Sequence, residues 1–173
     1  MGVGGGAGAT VNSFLPVYIK EVLGASNEVS ARSLSIIFSS GMWAGPLGGG
    51  LADRIGCTRV VIVTGILGGL VLFALRAVSL GWGLWIVLWV MGVIQAMRFP
   101  VTEMFIMNQS PAAHRSTLYG VYYSTMQYTG AIFAPVMGAL IDRFGYPAMF
   151  HFAAWAVTLV AVVTALFIRD AKD

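Results

Sequence analysis

The stretch GMWAGPLGGGLADRIG, residues 41–56, is written a second time as GAIFAPVMGALIDRFG, residues 130–145. Aligned without gaps, the copies share Gly, Pro, Gly, Leu, Asp, Arg and Gly in the same order. On a helix, small residues at steps of four form a face along which another backbone can come close. The proline permits a bend, and the final glycine suits the left-handed residue that ends a helix. The repeat therefore predicts two helices that are built and terminated alike.

The small residues and prolines of both copies are expected to pack helices rather than to contact a ligand. In the first copy the small residues are Gly41, Gly45 and Gly49, and in the second they are Gly130, Ala134 and Gly138. Each copy has one proline, Pro46 or Pro135. We predict that both stripes lie against neighbouring helices.

The composition identifies the class of protein in which these helices occur. The 173-residue chain is 58% hydrophobic and 10% charged, whereas a soluble domain carries roughly a quarter charged residues. Charge-free stretches follow one another along the sequence, and their lengths are close to the ~20 residues that cross a bilayer. We predict an all-α membrane protein that forms a single domain over residues 1–173. Its six transmembrane helices are expected at about 2–22, 33–52, 60–75, 83–107, 116–141 and 146–168.

The same composition argues against several other function classes. The formal net charge is only +3, without a basic run, so nucleic acid is not an expected partner. Cys57 is the sole cysteine, which leaves no intramolecular disulfide or cysteine-based metal site. No nucleophile–base pair, zinc spacing or phosphate loop is visible. We predict no enzyme activity, metal or cofactor, and expect the lipid bilayer and a small-molecule substrate as partners.

The positions of the two copies predict the topology. They close the second and fifth predicted helices and therefore run in opposite directions across the membrane. This predicts an inverted repeat of three plus three helices, a plan that recurs in secondary transporters. Six spans put both termini on one side, but the distribution of basic residues does not orient the chain. The terminal side has Arg54, Arg59, Arg115, Arg169 and Lys172, and the other side has Lys20, Arg32, Arg76 and Arg143.

Residues 49–56, GGLADRIG, resemble the G-x-L-a-D-R-x-G-[RK]-[RK] signature of the major facilitator superfamily (MFS). Gly49, Asp53, Arg54 and Gly56 match it, together with the Leu-Ala pair between them. Cys57 and Thr58 stand where basic residues are usual, and Arg59 follows one position later. The resemblance extends over the chain, because FLPVYIKEVLG is similar to the family's seventh helix and SPAAHRSTLYG to the turn into its eleventh.

The resemblance implies one six-helix half of a twelve-helix transporter, and the C-terminal half fits better. It implies transport of a small solute by alternating access, with a second half or with a second copy of the chain. The alternatives are a non-transporting membrane protein that packs against a partner and an inactive fragment of a longer transporter. In the family the signature lies in a cytoplasmic turn, so the resemblance implies a plasma or inner membrane protein with cytoplasmic termini.

Polar residues inside the predicted spans are candidates for a substrate or coupling path. Arg98 is the most costly of them, at ~2.5 kcal/mol or more for insertion near the bilayer centre. Arg98 either acts on the substrate or in coupling, or it forms a structural ion pair. If it binds the substrate, an anionic group of the substrate is favoured. Asn12 lines the path or bonds a neighbouring backbone, and His151 is expected to be an interfacial residue rather than a proton relay. The predicted path comprises Asn12, Gln95, Arg98, Thr102, Tyr123 and Gln127.

Charges at the signature end form a second candidate site. In the family an acidic residue at this end often joins the signature Asp and Arg in a network that latches one conformation. The resemblance implies that Asp53, Arg59 and Glu103 form this latch, and Gly49, Arg54 and Gly56 belong to the same signature. The alternative is three solvated interfacial charges, since exposed ion pairs contribute only ~0–1 kcal/mol. Tyr119, Tyr123 and Gln127 share a face of the fifth predicted helix and line a cavity or form an aromatic belt.

Overall fold

A computed structural model of the chain describes residues 2–167. The last residue of the predicted helix 146–168 and the tail residues Arg169 and Lys172 lie outside these described residues. Within them the protein is all-α, as predicted. The α-helices are α1 Gly2–Glu21, α2 Asn27–Ser39, α3 Gly41–Ile55, α4 Cys57–Ala77, α5 Trp82–Gln109, α6 Arg115–Phe144 and α7 Tyr146–Phe167. A short 3-10 helix, Ala112–His114, precedes α6.

The second predicted helix, 33–52, corresponds to two helices, α2 and α3. The helix begins earlier than predicted, at Asn27, because the Ser26 hydroxyl accepts a hydrogen bond from the Val29 amide and so caps it. Ser40 separates α2 from α3, and its hydroxyl donates to the Ile37 carbonyl at 2.7 Å. A serine that bonds its own backbone in this way competes with the helix ladder. The glycine after Ser40 has low helix propensity, and together the two residues explain the break.

Glycines set the closest helix contacts. A Cβ added to Gly65 of α4 would lie 2.6 Å from the Ala161 Cβ of α7, and one added to Gly69 would overlap Thr158. A Cβ on Gly6 of α1 would lie 2.8 Å from Thr129 of α6. Because no side chain intervenes at these points, α4 lies against α7 and α1 lies against α6 at short range.

Most of the buried apolar side chains form one cluster that connects α1, α2, α4, α5, α6 and α7. Its fully buried members include Leu15, Leu75, Leu88, Met137 and Phe150. A second, smaller cluster joins the α3–α4 turn to α5 through Ala52, Val60, Val61 and Val101. These two clusters hold the helices around the space between α1, α4, α5 and α6, where the cavity described below lies.

Three helices are long and apolar enough to cross a membrane by length and hydropathy among the described residues: Cys57–Ala77, Trp82–Asn108 and Tyr146–Leu166. Many hydroxyl groups in the bundle bond to the carbonyl one turn earlier in their own helix. Examples are Thr64 with Val60 at 2.7 Å, Thr129 with Thr125 at 2.6 Å, and Thr164 with Val160 at 2.7 Å. Such bonds satisfy a polar group without a second helix or water.

The two copies of the repeated stretch end helices at opposite ends of the bundle. Gly56 (φ 92°) ends α3 and Gly145 (φ 77°) ends α6, and both have the positive φ that their sequence positions predict. The length of α4 separates them, since α4 begins directly after Gly56 and its last turn contacts His151 near the start of α7. The antiparallel direction of the copies is therefore visible in the fold, whereas a three-plus-three repeat of whole helices remains a prediction.

Candidate functional site

A cavity of about 440 Å³ lies between the helices, within the range of ~300–1,000 Å³ that small-molecule sites occupy. Six of the helices contribute to its wall, and most of the lining is apolar. Its polar residues are Asn12, Ser13, Thr64, Gln95, Arg98, Thr102 and Tyr122. An apolar wall with a few polar groups is the usual composition of a site for an organic molecule.

Two amide side chains bridge α1 and α5 at the cavity wall. The Asn12 Nδ2 donates to the Gln95 Oε1 at 2.9 Å, and the Gln95 Nε2 donates to the Asn12 Oδ1 at 3.3 Å. The pair is reciprocal, so each amide satisfies one donor and one acceptor of the other. Asn12 therefore bonds the Gln95 side chain. The alternative from the sequence was a hydrogen bond to a neighbouring backbone. Each amide retains one N–H for a ligand in the cavity.

Arg98 lies one turn further along α5 and also lines the cavity. Its side chain extends towards α4, where Gly65 leaves room for it: the Arg98 Nη1 lies 3.8 Å from the position of a Cβ on Gly65. In the described part of the chain the one ion pair joins Arg32 to Glu28, so no carboxylate neutralises Arg98 there. A partly buried guanidinium beside a cavity without an acidic partner can bind an anionic or acceptor group of a ligand.

The face of α6 that meets the cavity differs from the predicted one. Tyr122 and Met126 line the cavity, while Tyr123 and Gln127 are exposed and lie outside its lining. Thr129, Phe133 and Met137 continue the inward face at helical spacing. The predicted face is therefore shifted by one residue. The signal that could have found the inward face is the series of positions at steps of four and three from Tyr122 to Met137, where every side chain except that of Thr129 is large.

Glu103 lies at the α5–α6 contact rather than with the signature charges. It accepts a short hydrogen bond from the Tyr123 hydroxyl. Tyr123 in turn packs against Phe99, with ring centroids 6.5 Å apart, and against Tyr119 at 5.3 Å. The carboxylate and these rings join two helices that otherwise contact each other little. The cluster lies beside the cavity, because Phe99 and Tyr122 are among the lining residues.

The signature charges lie at the α3–α4 turn. Asp53, Arg54 and Arg59 are exposed, whereas Gly56 is partly buried and ends α3. None of these charges forms an ion pair within the described residues, so Asp53, Arg59 and Glu103 are not joined in this conformation. The second apolar cluster nevertheless fixes the turn against α5, through Ala52 and Val101.

The packed stripe of the first copy lies one residue away from the predicted one. Ala44 and Ala52 are buried, and a Cβ on Gly48 would lie 2.5 Å from the Met97 carbonyl oxygen of α5. Gly45 only borders this contact, and substituents on Gly41 or Gly49 would meet nothing within 4 Å. The reason is that α5 approaches α3 at the Ala44–Gly48–Ala52 side, which small residues also line.

The second copy packs even less through its small residues. Substituents on Gly130 or Gly138 would meet nothing within 4 Å, Ala134 is partly buried and Pro135 is exposed. The Gly130 backbone does contact α1, since its carbonyl accepts a 3.5 Å hydrogen bond from Thr10. The predicted stripe of the second copy therefore lies on the open side of α6.

These features define a class of protein: a helical bundle with membrane-spanning helices and a central cavity of small-molecule size. The chain belongs to the Major Facilitator Superfamily, because the sequence profile of that family matches residues 2–173. The family consists of membrane transporters and not of enzymes.

Individual relatives agree with the family assignment. The chain is 31% identical over 172 residues to the Multidrug resistance protein MdtG of Escherichia fergusonii, covering 96% of the chain and 41% of the relative. It is 28% identical over 155 residues to MdtG of Proteus mirabilis, covering 87% and 38%. The chain thus spans about two fifths of the length of the curated relatives it matches.

A solved structure has the same fold. The POT family transporter PepTSo superposes with a TM-score of 0.84 over 95% of this chain and 35% of that chain. The sequence identity is 15%, so this likeness concerns the fold alone.

Proposed function

We propose that the chain forms one six-helix half of a secondary transporter that moves a small solute across a plasma or inner membrane by alternating access. The cavity with the unneutralised Arg98 in its wall is the observation that carries this proposal. Family membership supports transport as the general activity. The length of the chain, about two fifths of its relatives, supports a half, and the resemblance of its motifs favours the C-terminal one.

The open faces of α3 and α6 support a second half or a second copy of the chain as partner. Glycines on both helices leave room for another backbone at Gly41, Gly49, Gly130 and Gly138. Large apolar side chains beside them are exposed, among them Met42 at 90% and Ile132 at 64%. In the proposed mechanism the partner covers these faces, and the two units rock against each other so that the cavity opens to one side of the membrane and then to the other.

The cavity chemistry supports an amphipathic solute as substrate. Its apolar wall suits an aromatic or aliphatic body, Arg98 suits a carboxylate or another acceptor, and the Asn12–Gln95 pair suits a further hydrogen-bonding group. The name of the MdtG relatives supports drug-like organic molecules as a substrate class. Within this proposal the path comprises Asn12, Gln95, Arg98, Thr102 and Tyr122, and Tyr123 belongs with Glu103 to the α5–α6 contact.

We propose that Asp53, Arg59 and Glu103 act as a gate in a conformation other than the present one. The supporting observation is that Ala52 and Val101 hold the signature turn on α5, the helix that carries Glu103. In this conformation the Glu103 carboxylate accepts a hydrogen bond from the Tyr123 hydroxyl. For Glu103 to pair with Arg59, this hydrogen bond must break. Formation of the latch therefore requires α6, which carries Tyr123, to move.

Solute flux into proteoliposomes tests the proposed function. Two preparations are reconstituted: the chain alone, and the chain together with a six-helix partner that co-purifies with it. In each, uptake of a fluorescent aromatic carboxylate is compared with uptake of its uncharged amide. We expect faster uptake of the carboxylate. Arg98→Gln should lower this uptake roughly tenfold or more, because a charge-assisted hydrogen bond contributes about 1.5–3 kcal/mol.

Arg32→Gln is the matched control, since it removes an exposed arginine whose ion pair is at the surface. Its uptake should equal that of the unmodified chain. Absence of flux in every oligomeric state, together with stable binding of a partner protein, would favour the alternative of a non-transporting membrane protein. The open glycine faces of α3 and α6 are the observation that favours this second candidate.

A further inference from the structure

A basic and aromatic cluster lies on the outside of the bundle, away from the cavity, where the end of α4 meets the start of α7. Its members are Phe73 and Arg76 of α4 and His151 and Trp155 of α7. The Arg76 Nη1 lies 2.7 Å from the His151 Nε2. Phe73 packs edge-to-face against the His151 ring, with centroids 5.4 Å apart, and against Trp155 at 6.0 Å.

The hydrogen bond between Arg76 and His151 determines which groups remain for a ligand. A guanidinium has only donors, so the His151 Nε2 must accept and the ring proton must lie on Nδ1. The pair then offers the remaining guanidinium N–H groups and the Nδ1–H, all of them donors. Arg76 is exposed and forms no ion pair with the described residues. The cluster therefore has one uncompensated positive charge and suits an anion.

The depth of the cluster points to the kind of anion. Trp155 follows His151 by one helical turn, about 6 Å along the axis, and it is 65% exposed. Tryptophan typically lies at the level of the lipid headgroups, with its apolar body towards the acyl chains. Exposed apolar residues continue from the cluster along the two spans: Ile66 and Leu70 on α4, and Leu159, Val163 and Leu166 on α7. This arrangement suits a molecule with a phosphate at the surface and a hydrocarbon chain below it.

We propose that the cluster Phe73–Arg76–His151–Trp155 binds the headgroup phosphate of an anionic phospholipid. Arg76 and His151 donate hydrogen bonds to the phosphate oxygens, and Trp155 contacts the upper part of an acyl chain. Zwitterionic lipids bind more weakly, because their ammonium group offsets the charge that the guanidinium recognises. The site is separate from the proposed transport cavity, so its test does not depend on transport.

Titration of the detergent-solubilised chain with phosphatidylglycerol that carries brominated acyl chains tests the proposal. Bromine quenches nearby tryptophan fluorescence, and Trp155→Phe identifies the part of the signal that comes from this site. We expect saturable quenching that Arg76→Gln weakens roughly tenfold in apparent affinity. Arg76→Lys should fall in between, since it keeps the charge but loses the fork of donors. Brominated phosphatidylcholine should quench at several-fold higher concentration.

Arg143→Gln is the matched control, because Arg143 is an exposed arginine at the same end of the bundle. It should leave the titration unchanged, and circular dichroism checks that each variant keeps its helix content. Equal losses of lipid affinity in Arg76→Gln and Arg143→Gln would indicate diffuse electrostatic attraction instead of a defined site. This result would overturn the proposal. Displacement of the lipid by millimolar inorganic phosphate would identify free phosphate as the ligand and overturn the lipid assignment. Quenching that Trp155→Phe leaves intact would also contradict it.

Discussion

The two copies of the repeated stretch, in α3 and in α6, have similar sequences and different surroundings. The α3 copy is pressed against α5, with Gly48 at the tightest point and Ala44 and Ala52 beside it. The α6 copy has its glycines on the open side and packs the larger side chains Phe133, Met137 and Ile141 against the main apolar cluster. The residue that corresponds to Gly48 is Met137, which is fully buried. Two helices with similar sequences can therefore meet their neighbours differently at this position, through a glycine in α3 and through a buried methionine in α6.

The largest effect is expected where the α6 copy fills its contact. Met137→Ala should lower the free energy of unfolding by about 2–5 kcal/mol, because truncation of a buried methionine leaves a cavity in the main apolar cluster. Thermal or denaturant unfolding in detergent measures it. Met42→Ala in the other copy is the control, since Met42 is 90% exposed, and it should change stability by less than about 0.5 kcal/mol. A small loss for Met137→Ala would mean that α6 does not depend on this contact.

A smaller loss is expected where the α3 copy needs close approach. Gly48→Ala should cost about 1–3 kcal/mol of unfolding free energy, because the added Cβ overlaps backbone atoms of Met97 that cannot rotate aside. Gly138→Ala adds the same methyl group on the open side of α6 and should be neutral or slightly stabilising, since alanine favours helix. Unfolding curves of the two variants, measured side by side, decide the matter. Equal curves would remove the distinction between the copies.

The smallest effect on stability, and one specific to transport, is expected at the shared Asp-Arg endings. Asp53→Asn should lower solute uptake roughly fivefold or more, the size of a 1 kcal/mol coupling, because the α3 copy carries the proposed gate. Asp142→Asn at the opposite end of the bundle should leave uptake within about twofold. Both variants should unfold like the parent, since surface substitutions usually change stability by less than about 0.5 kcal/mol. If both reduce uptake equally, the gate does not belong to one copy.

The comparison also indicates what the sequence could predict. Charge-free stretches and the repeat correctly indicated an all-α membrane protein, and the glycines before α4 and α7 correctly indicated where α3 and α6 stop. Gln95, Arg98 and Thr102 of the predicted path all line the cavity, whereas their role in transport stays a prediction. The helix class and the helix ends could be predicted because they depend on composition and on local backbone geometry.

The predictions that differ from the structure concern which neighbour each face meets. Gly41 and Gly49 are as small as Gly48, and only the position of α5 decides which of them is buried. Tyr122 and Tyr123 are equally suited to a cavity wall, and a rotation of α6 by one residue exchanges their roles. The break at Ser40 depends on a serine hydroxyl that bonds its own backbone. Sequence periodicity indicates which residues share a helix face, but it does not say which neighbouring helix that face meets.

The hydroxyl groups that bond within their own helices affect how a span is recognised. Hydropathy scales assign threonine and serine a value that assumes their hydroxyl groups are hydrogen-bonded to water. In α6 the Thr125 and Thr129 hydroxyls instead donate to carbonyls one turn earlier, at 2.7 and 2.6 Å. Because these hydroxyl donors are satisfied within the helix, each threonine presents mainly its methyl group to the surroundings. A helix rich in such residues is more soluble in hydrocarbon than its hydropathy suggests.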